Sequence, residues 1–287
     1  MTGAVVLVGT PIGNLGDLSP RAVEALRDAD VVAAEDTRRT RILLSAAGVA
    51  AGGRLVSVRE HNEAEMAEKL VRRALDGARV AYVTDAGMPG ISDPGERLVR
   101  RAVESGVAVE VVPGPSAALS ALVVSGLPAG RFVFEGFLPR KGPERAARLG
   151  RLAVEDRTIV LFESPQRLVA TLADLAGVLG PGRSVAVGRE LTKRFETVWR
   201  GTLGQAVEAT ATGEGPEPRG EQVIVCAGAP EERVEPGDEE IRQALRAELG
   251  SGASARDATD TVTSGLGVSR RKVYALAVAL RQEGKAE

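Results

Sequence analysis

Three loops rich in glycine and proline hold the residues best suited to chemistry: Gly9-Thr10-Pro11-Ile12-Gly13-Asn14-Leu15-Gly16, the longer run TDAGMPGISDPG from Thr84 to Gly95, and Val112-Pro113-Gly114-Pro115-Ser116-Ala117. Glycine lets main-chain N–H and C=O groups come close to a ligand, and proline holds a loop in one shape. The loops carry Asp85 and Asp93 but no lysine or arginine. Such a lining suits a small zwitterionic ligand with positive charge and suits a pyrophosphate poorly. One loop of this kind is usually a plain tight turn. Three of them, each following a strand pattern, point to a common ligand crevice at the carboxyl ends of the strands.

The elements that must position these loops are legible as periodicity. Ala4 to Gly9, Val31 to Glu35, Leu55 to Val58, Val80 to Val83 and Val107 to Val112 read as buried strands. Helix patterns lie between them at Pro20 to Asp28, Arg39 to Ala47, Glu63 to Leu75 and Glu96 to Glu104. Strand and helix in alternation predict a largely parallel, helix-covered sheet. Beyond about residue 125 the texture changes. Arg131 to Gly136, Thr158 to Phe162, Ser184 to Gly188, Glu196 to Gly201 and Gln222 to Ala227 read as strands with three helices among them, predicting a mixed sheet with an antiparallel hairpin. Thr212 to Arg219 reads as an extended surface loop. The expected fold is α/β: two α/β lobes, 1–117 and 118–229, an acidic linker at 230–240, and a helical region at 241–287. The last of its three helices begins with Arg270, Arg271 and Lys272; a nucleic-acid module and a packing appendage are equal readings of that region.

Composition narrows the chemistry. The chain has 287 residues, 37 basic and 39 acidic side chains, and a net charge of −2, so no global basic footprint marks it as a nucleic-acid binder. With His61 and Cys226 as the sole histidine and cysteine, one protomer cannot build the usual zinc sites, a disulfide framework or a CxxC redox pair, and no metal is expected. Gly250, Gly252 and Ala255 fit a dinucleotide fingerprint only nominally, since no strand precedes them. Ser116 lacks the flanking glycine of a nucleophile elbow. No apolar run is long enough to span a membrane and no leader pattern is present, so the expected compartment is the cytoplasm.

Taken in series, LVGTPIGNLGDLS, AAEDTRRTRILL, HNE, VTDAGMPGISDPG, VVPGPSA, FEGFLPRK, FESPQR and GRELTKRFET resemble the ribosomal RNA small subunit methyltransferase I group of the tetrapyrrole (corrin/porphyrin) methylase superfamily. The resemblance covers roughly residues 4 to 227, and the trailing helices also resemble the group's C-terminal region. The chain departs from the group's usual threonine at Met88 and its bulkier aliphatic at Gly90. The resemblance implies two α/β lobes with S-adenosylmethionine in the cleft between them, a homodimer, and methylation of the ribose 2′-oxygen of a cytidine in the decoding centre of 16S rRNA in the small ribosomal subunit. A cationic sulfonium agrees with the acidic, phosphate-averse loops.

Carried onto matching positions, the resemblance makes Pro11, Asp85, Ala86, Gly87, Ile91, Ser92, Ser116 and Ala117 the cofactor-binding candidates. Asp85 would face the ligand's ammonium or sulfonium region, or else cap the turn after its strand. Glu35 and Asp36 are catalytic candidates that suit substrate positioning, with Arg38 and Arg39 on RNA phosphates; a helix N-cap at Asp36 or Thr37 is the equal alternative. Lys193 is the third catalytic candidate. With its pKa lowered by a cationic ligand it would take the ribose proton, although phosphate or ribose positioning is the preferred role. Arg194 joins it as an RNA contact. Arg140 and Lys141 open the densest basic stretch, which runs on through Arg145, Arg148 and Arg151 as a backbone-contact surface. His61 is attractive as a base by its pKa alone, but a histidine at a helix start is more often structural. The rival readings are a small-molecule tetrapyrrole-type methylase and a non-catalytic ribosome assembly factor.

Overall fold

The valine-rich start of the chain forms β1 (Ala4–Val8), whose alternate residues go to opposite faces: Ala4, Val6 and Val8 enter one buried cluster and Val5 another. A strand apolar on both faces needs helices on both. The computed structural model describes residues 3–230 and 236–283. In it, α1 (Pro20–Asp28), β2 (Val31–Ala34), α2 (Thr37–Ala46), β3 (Leu55–Ser57), α3 (Glu63–Leu75), β4 (Arg79–Val83), α4 (Glu96–Glu104) and β5 (Ala108–Val112) follow in turn. The five strands are parallel in the order β3-β2-β4-β1-β5. Leu26 of α1 and Leu44 of α2 cover one face, and Leu70 of α3 and Leu98 of α4 cover the other. Because β4, β1 and β5 are neighbours, the three glycine/proline loops that follow them meet at one edge.

The second lobe has the expected mixed sheet. It contains β6 (Phe132–Phe137), α6 (Pro143–Ala153), β7 (Thr158–Glu163), α7 (Leu168–Leu179), β8 (Ser184–Arg189), β9 (Thr197–Thr202), α8 (Leu203–Thr212) and β10 (Gln222–Cys226), with the strands ordered β6-β7-β10-β8-β9. Only β6 and β7 pair in parallel; β8 and β9 form the antiparallel hairpin. A helix over Ala117–Ser125 precedes this lobe in the chain, and sequence analysis provided no element there. Its sequence AALSALVVS has almost no polar face, so it lacks the amphipathic signature. Ala118, Ala121 and Leu122 pack on Val160, Val223 and Val225 of the second sheet together with Ile12 from the first loop, tying the lobes into one body.

The basic stretch at 140–151 is corrected by burial. Arg145 lies inside the protein, donating through Nη2 to Asp174 Oδ2 at 2.7 Å and to Thr171 Oγ1 at 3.0 Å, and through Nη1 to the Pro139 carbonyl at 2.9 Å. Arg148 is paired with Glu135. Neither is a free cation for RNA. Arg145→Ala should lower stability by about 2–3 kcal/mol, less than a fully buried pair because Asp174 reaches solvent. Urea unfolding should show a lower midpoint at an unchanged slope.

The chain divides into two compact units, Met1–Ala229 and Pro230–Glu287. The second contains α9 (Asp238–Gly250), α10 (Ala255–Leu266) and α11 (Arg270–Glu283) around Ile241, Leu245, Ala258, Val262 and Val273. The stretch read as linker ends early, since Asp238, Glu239 and Glu240 form the first turn of α9, where carboxylates face the positive end of the helix dipole. Its residues 231–235 lie outside the described residues. Of the three basic residues at the start of α11, Arg270 is bound to Asp260 at 2.8 Å and Lys272 to Asp238 at 3.3 Å. Among the described residues no helix is long and apolar enough to cross a membrane.

Candidate active site

The three loops are fastened to each other by main chain. Thr10 N–H donates to the Gly87 carbonyl at 2.9 Å, Gly87 N–H returns the bond at 3.1 Å, and Gly9 N–H donates to the Val112 carbonyl at 2.9 Å. Thr10 Oγ1 adds a bond to the Thr84 carbonyl at 3.2 Å. Gly9 and Gly114 touch backbone to backbone: a Cβ on Gly9 would stand 2.6 Å from Gly114 Cα. The glycines are therefore required by the approach of the first and third loops.

Between these loops and the second lobe lies a cleft of about 240 Å³. Six of the eight cofactor candidates line it: Ala86, Gly87, Ile91, Ser92, Ser116 and Ala117. The facing wall is Phe137, Phe162, Glu163, Glu221 and Gln222. The lining contains the carboxylates Asp93, Glu163 and Glu221 and no basic side chain. Ser116 also caps the helix that follows it, accepting from Leu119 N–H. Pro11 and Asp85, the other two candidates, line an adjoining cavity of about 160 Å³ with Arg39 and Thr40.

Asp85 is held between elements: Oδ1 accepts from Asp36 N–H at 3.1 Å, and Oδ2 faces Arg39 Nη1 at 3.4 Å. Burial nevertheless raises its pKa against the pull of Arg39. Glu35, at the end of β2, is raised too, by burial and then by the negative charge of Asp85. Its side chain lines a third, more open groove of about 690 Å³ with Glu63, Asp93, Arg97 and Arg100. Asp36 is the N-cap of α2, its Oδ1 accepting from Arg38 N–H at 2.7 Å, and that bond lowers its pKa. The carboxylate is thereby occupied by the helix end, and its main-chain N–H orients Asp85. Asp36 therefore caps α2, and a substrate-positioning role is compatible with that cap.

Lys193 is held by two carboxylates. Burial works against its charge, but Nζ lies 3.0 Å from both Glu190 Oε1 and Glu221 Oε2, and the two carboxylates raise its pKa. In the protein free of cofactor a lysine so held is a fixed cation, which suits the phosphate or ribose positioning preferred for it. Its stem supports the first loop, since a Cβ on Gly13 would meet Lys193 Cγ at 2.3 Å. The turn that carries it is strained, with Glu190 at φ 50° and Thr192 at φ 65°. Among the described residues the remaining non-glycine residue of positive φ is Ser92, at 61°, on the opposite wall. Arg38, Arg39, Arg140, Lys141 and Arg194 are exposed, Arg194 over the ring of Phe195. His61 is exposed on the short turn before α3 and lines none of these cavities.

Sequence reasoning gave no role to three residues of this site. Glu63, the last residue of HNE, is buried and accepts from Gly95 N–H at 2.9 Å and Arg97 N–H at 3.2 Å, so it caps α4 from another helix. Glu163 of FESPQR is buried in the cleft wall and accepts from Thr171 Oγ1 at 2.6 Å, which joins the cleft to the Arg145 network. Asp93 was noted only as a loop charge. Among the described residues no group of three or more His, Cys, Asp or Glu side chains is arranged to hold a metal ion.

A parallel-sheet lobe and a mixed-sheet lobe flanking an acidic, glycine-built cleft match a known family: residues 4–207 fit the Tetrapyrrole (Corrin/Porphyrin) Methylases, and the chain belongs to that family. It is 26% identical to the Thermus thermophilus uroporphyrin-III C-methyl transferase whose crystal structure is complexed with S-adenyl homocysteine, with a TM-score of 0.54 over 78% of this chain and 97% of that one. Among curated relatives, the Ribosomal RNA small subunit methyltransferase I of Synechocystis sp. is 43% identical over 98% of this chain and all of its own length. The protein of the same name from Mycobacterium tuberculosis is 50% identical over 79% of each chain. Within the family, the chain falls in the ribosomal RNA small subunit methyltransferase I group.

Proposed function

We propose that the protein transfers a methyl group from S-adenosylmethionine to the ribose 2′-oxygen of a cytidine in 16S rRNA of the small ribosomal subunit. The observation that carries this reading is the cleft itself: six backbone-presenting loop residues lining it together with three carboxylates, with no lysine or arginine in the lining. That donor set fits a zwitterion bearing a sulfonium. When bound, the cofactor supplies an electrophilic methyl carbon. The chain's part is to hold it in line with the attacking oxygen and to remove the hydroxyl proton.

Ala86, Gly87, Ile91, Ser92, Ser116 and Ala117 bind the cofactor in this scheme, while Pro11 and Asp85 brace the loops from the adjoining cavity. Glu35 positions the ribose from the open groove. Arg38, Arg39, Arg140, Lys141 and Arg194 contact phosphates, which lets a chain of net charge −2 bind RNA locally. Lys193 keeps the ELTK turn and Glu221 in place.

The test is labelled methyl transfer to purified 30S subunits followed by a 2′-O-methylation map of 16S rRNA. One gained site at a cytidine is expected. Labelling of a porphyrinoid acceptor with none of the subunit would replace this reading with a small-molecule methylase. Absence of both a calorimetric signal and a melting shift with S-adenosylmethionine would leave a non-catalytic assembly factor.

A further inference from the structure

The structure assigns Asp93 as the acceptor of the ribose proton, placed where the cofactor cleft opens into the substrate groove. This rests on the methyl-transfer reading above and supplies the base that reading lacks. Asp93 and Ser92 line both the 240 Å³ cleft and the 690 Å³ groove. Glu35 lines only the groove and Glu221 only the cleft. Lys193 is held charged, and His61 lies elsewhere. A base that takes the proton of an oxygen in the groove while that oxygen attacks a methyl carbon in the cleft must stand at this junction.

Local structure directs the carboxylate there and leaves it free. Ser92 adopts φ 61°, turning the chain at the residue before it, and Gly136 at φ 61° makes room: a Cβ there would lie 3.1 Å from Ser92 Oγ. Gly95 at φ 138° closes the loop over the ring of Tyr82. The charged groups that raise Asp93 are carboxylates on neighbouring elements: Glu35 after β2, Asp85 after β4 and Glu221 before β10. Beneath, the buried Tyr82 hydroxyl has no hydrogen-bond partner and feels the charges of Glu63, Glu35 and Asp93. The cations on the groove, Arg97 and Arg100 of α4, are engaged with Glu63 at 3.5 Å and with Glu96, respectively. They stand at the groove wall, suited to the phosphates flanking the target ribose.

Burial, followed by Glu35, Asp85 and Glu221, pushes the Asp93 carboxyl up to about 7. A base is most effective when its pKa lies near the working pH. In the step, the 2′-O–H proton passes to Asp93 as the oxygen–methyl bond forms and the carbon–sulfur bond breaks. The C–S electron pair stays on sulfur, S-adenosylhomocysteine leaves uncharged, and Asp93 then gives the proton to water.

The experiment uses the full chain and its Asp93→Asn and Asp93→Glu variants. In single-turnover transfer to 30S subunits, the wild-type rate should rise with pH and then level off, with a midpoint below the value of the cofactor-free protein because the bound sulfonium favours the charged carboxylate. Asp93→Asn should lose roughly 100-fold or more and the pH rise with it, at little change in subunit affinity; Asp93→Glu should recover part of the rate. A second readout needs no turnover: calorimetry with S-adenosylmethionine and S-adenosylhomocysteine at about pH 5.5 and about pH 8.5. Wild type should bind the sulfonium form more tightly at the higher pH, the neutral thioether should show less of this, and Asp93→Asn should erase the difference. Wild-type rate and slope in Asp93→Asn would overturn the assignment, as would an unchanged cofactor difference in that variant. If the wild type labels no subunit while the calorimetric difference holds, the methyl acceptor is wrong, and the ribose role falls with it while the place of Asp93 beside the cofactor stands.

Discussion

Gly9→Ala is expected to lower stability by about 3 kcal/mol and to weaken S-adenosylmethionine binding at least about tenfold. The added Cβ would lie 2.6 Å from both Gly114 Cα and Gly114 N, and 2.7 Å from Met88 Sδ. The methionine can swing away, but the main chain of Gly114 cannot. Gly9 is itself tied to Val112 by its N–H, one step before the loop that Gly114 occupies. Relief therefore requires the first and third loops to part, which displaces Ser116 and Ala117 from the cleft wall. Gly114→Ala should behave alike, since its Cβ would meet Gly9 backbone at 2.8 Å. Gly53→Ala is the control: nothing lies within 4 Å of the position, and it should be neutral. Thermal melting and cofactor calorimetry on the three variants check this. A Gly9→Ala protein as stable and as tight-binding as Gly53→Ala would sink the idea that loop contact builds the site.

The same two loops show what a sequence can reveal about such a site. Their glycines and prolines are local features, as are Asp85 and Asp93 of the loop that lies between them in the chain, and so is the strand before each. From these the expected crevice and the expected sign of its ligand follow, while the candidate lining residues come from the family resemblance. The parallel sheet was equally legible, because β1, β2 and β4 are apolar on both faces and α1, α3 and α4 carry clear amphipathic stripes. What stayed hidden depends on partners distant in sequence. Lys193 gave no sign of Glu221, which comes beside it only in the fold. Arg145 looked like one more surface cation, yet its partners Thr171 and Asp174 stand on the next helix. Glu63 passed as the third letter of HNE because its function is to cap a helix that begins at Glu96. Asp36 was readable both ways, and the hydrogen bond from Arg38 N–H shows the cap without removing the other role. The helix over Ala117–Ser125 escaped for the opposite reason: one face lies against the second lobe's sheet, but Leu119, Val123 and Val124 on the outside are apolar too, so no periodicity marks it.

Asp93→Asn should stabilise the protein free of cofactor at pH 8 by about 2 kcal/mol and leave it unchanged near pH 4. The sign follows from linkage. In the unfolded chain Asp93 loses its proton near the ordinary aspartate value, whereas in the folded protein burial, Glu35, Asp85 and Glu221 hold the proton until about pH 7. Between those values the folded state binds more protons than the unfolded state, so stability falls as pH rises and the penalty is complete above 7. Asparagine does not titrate and escapes it. The whole shift corresponds to about 4 kcal/mol; solvent in the open groove screens the charge and halves that, to about 2 kcal/mol. In a unit of this size the gain amounts to roughly 4–8 °C in melting temperature. Glu35 and Asp85 are raised in the same direction, so the wild type should keep losing stability over this range for more than one reason. A cationic ligand relieves the repulsion among these carboxylates, and S-adenosylmethionine should therefore stabilise the wild type more at pH 8 than S-adenosylhomocysteine does. Melting curves of both proteins across pH 4 to 8, with and without each ligand, measure all of this. A variant that is both less active and more stable at high pH marks a carboxylate kept under strain for its chemistry. Equal melting of wild type and Asp93→Asn at pH 8 would show that the carboxylate is well solvated and its proton ordinary.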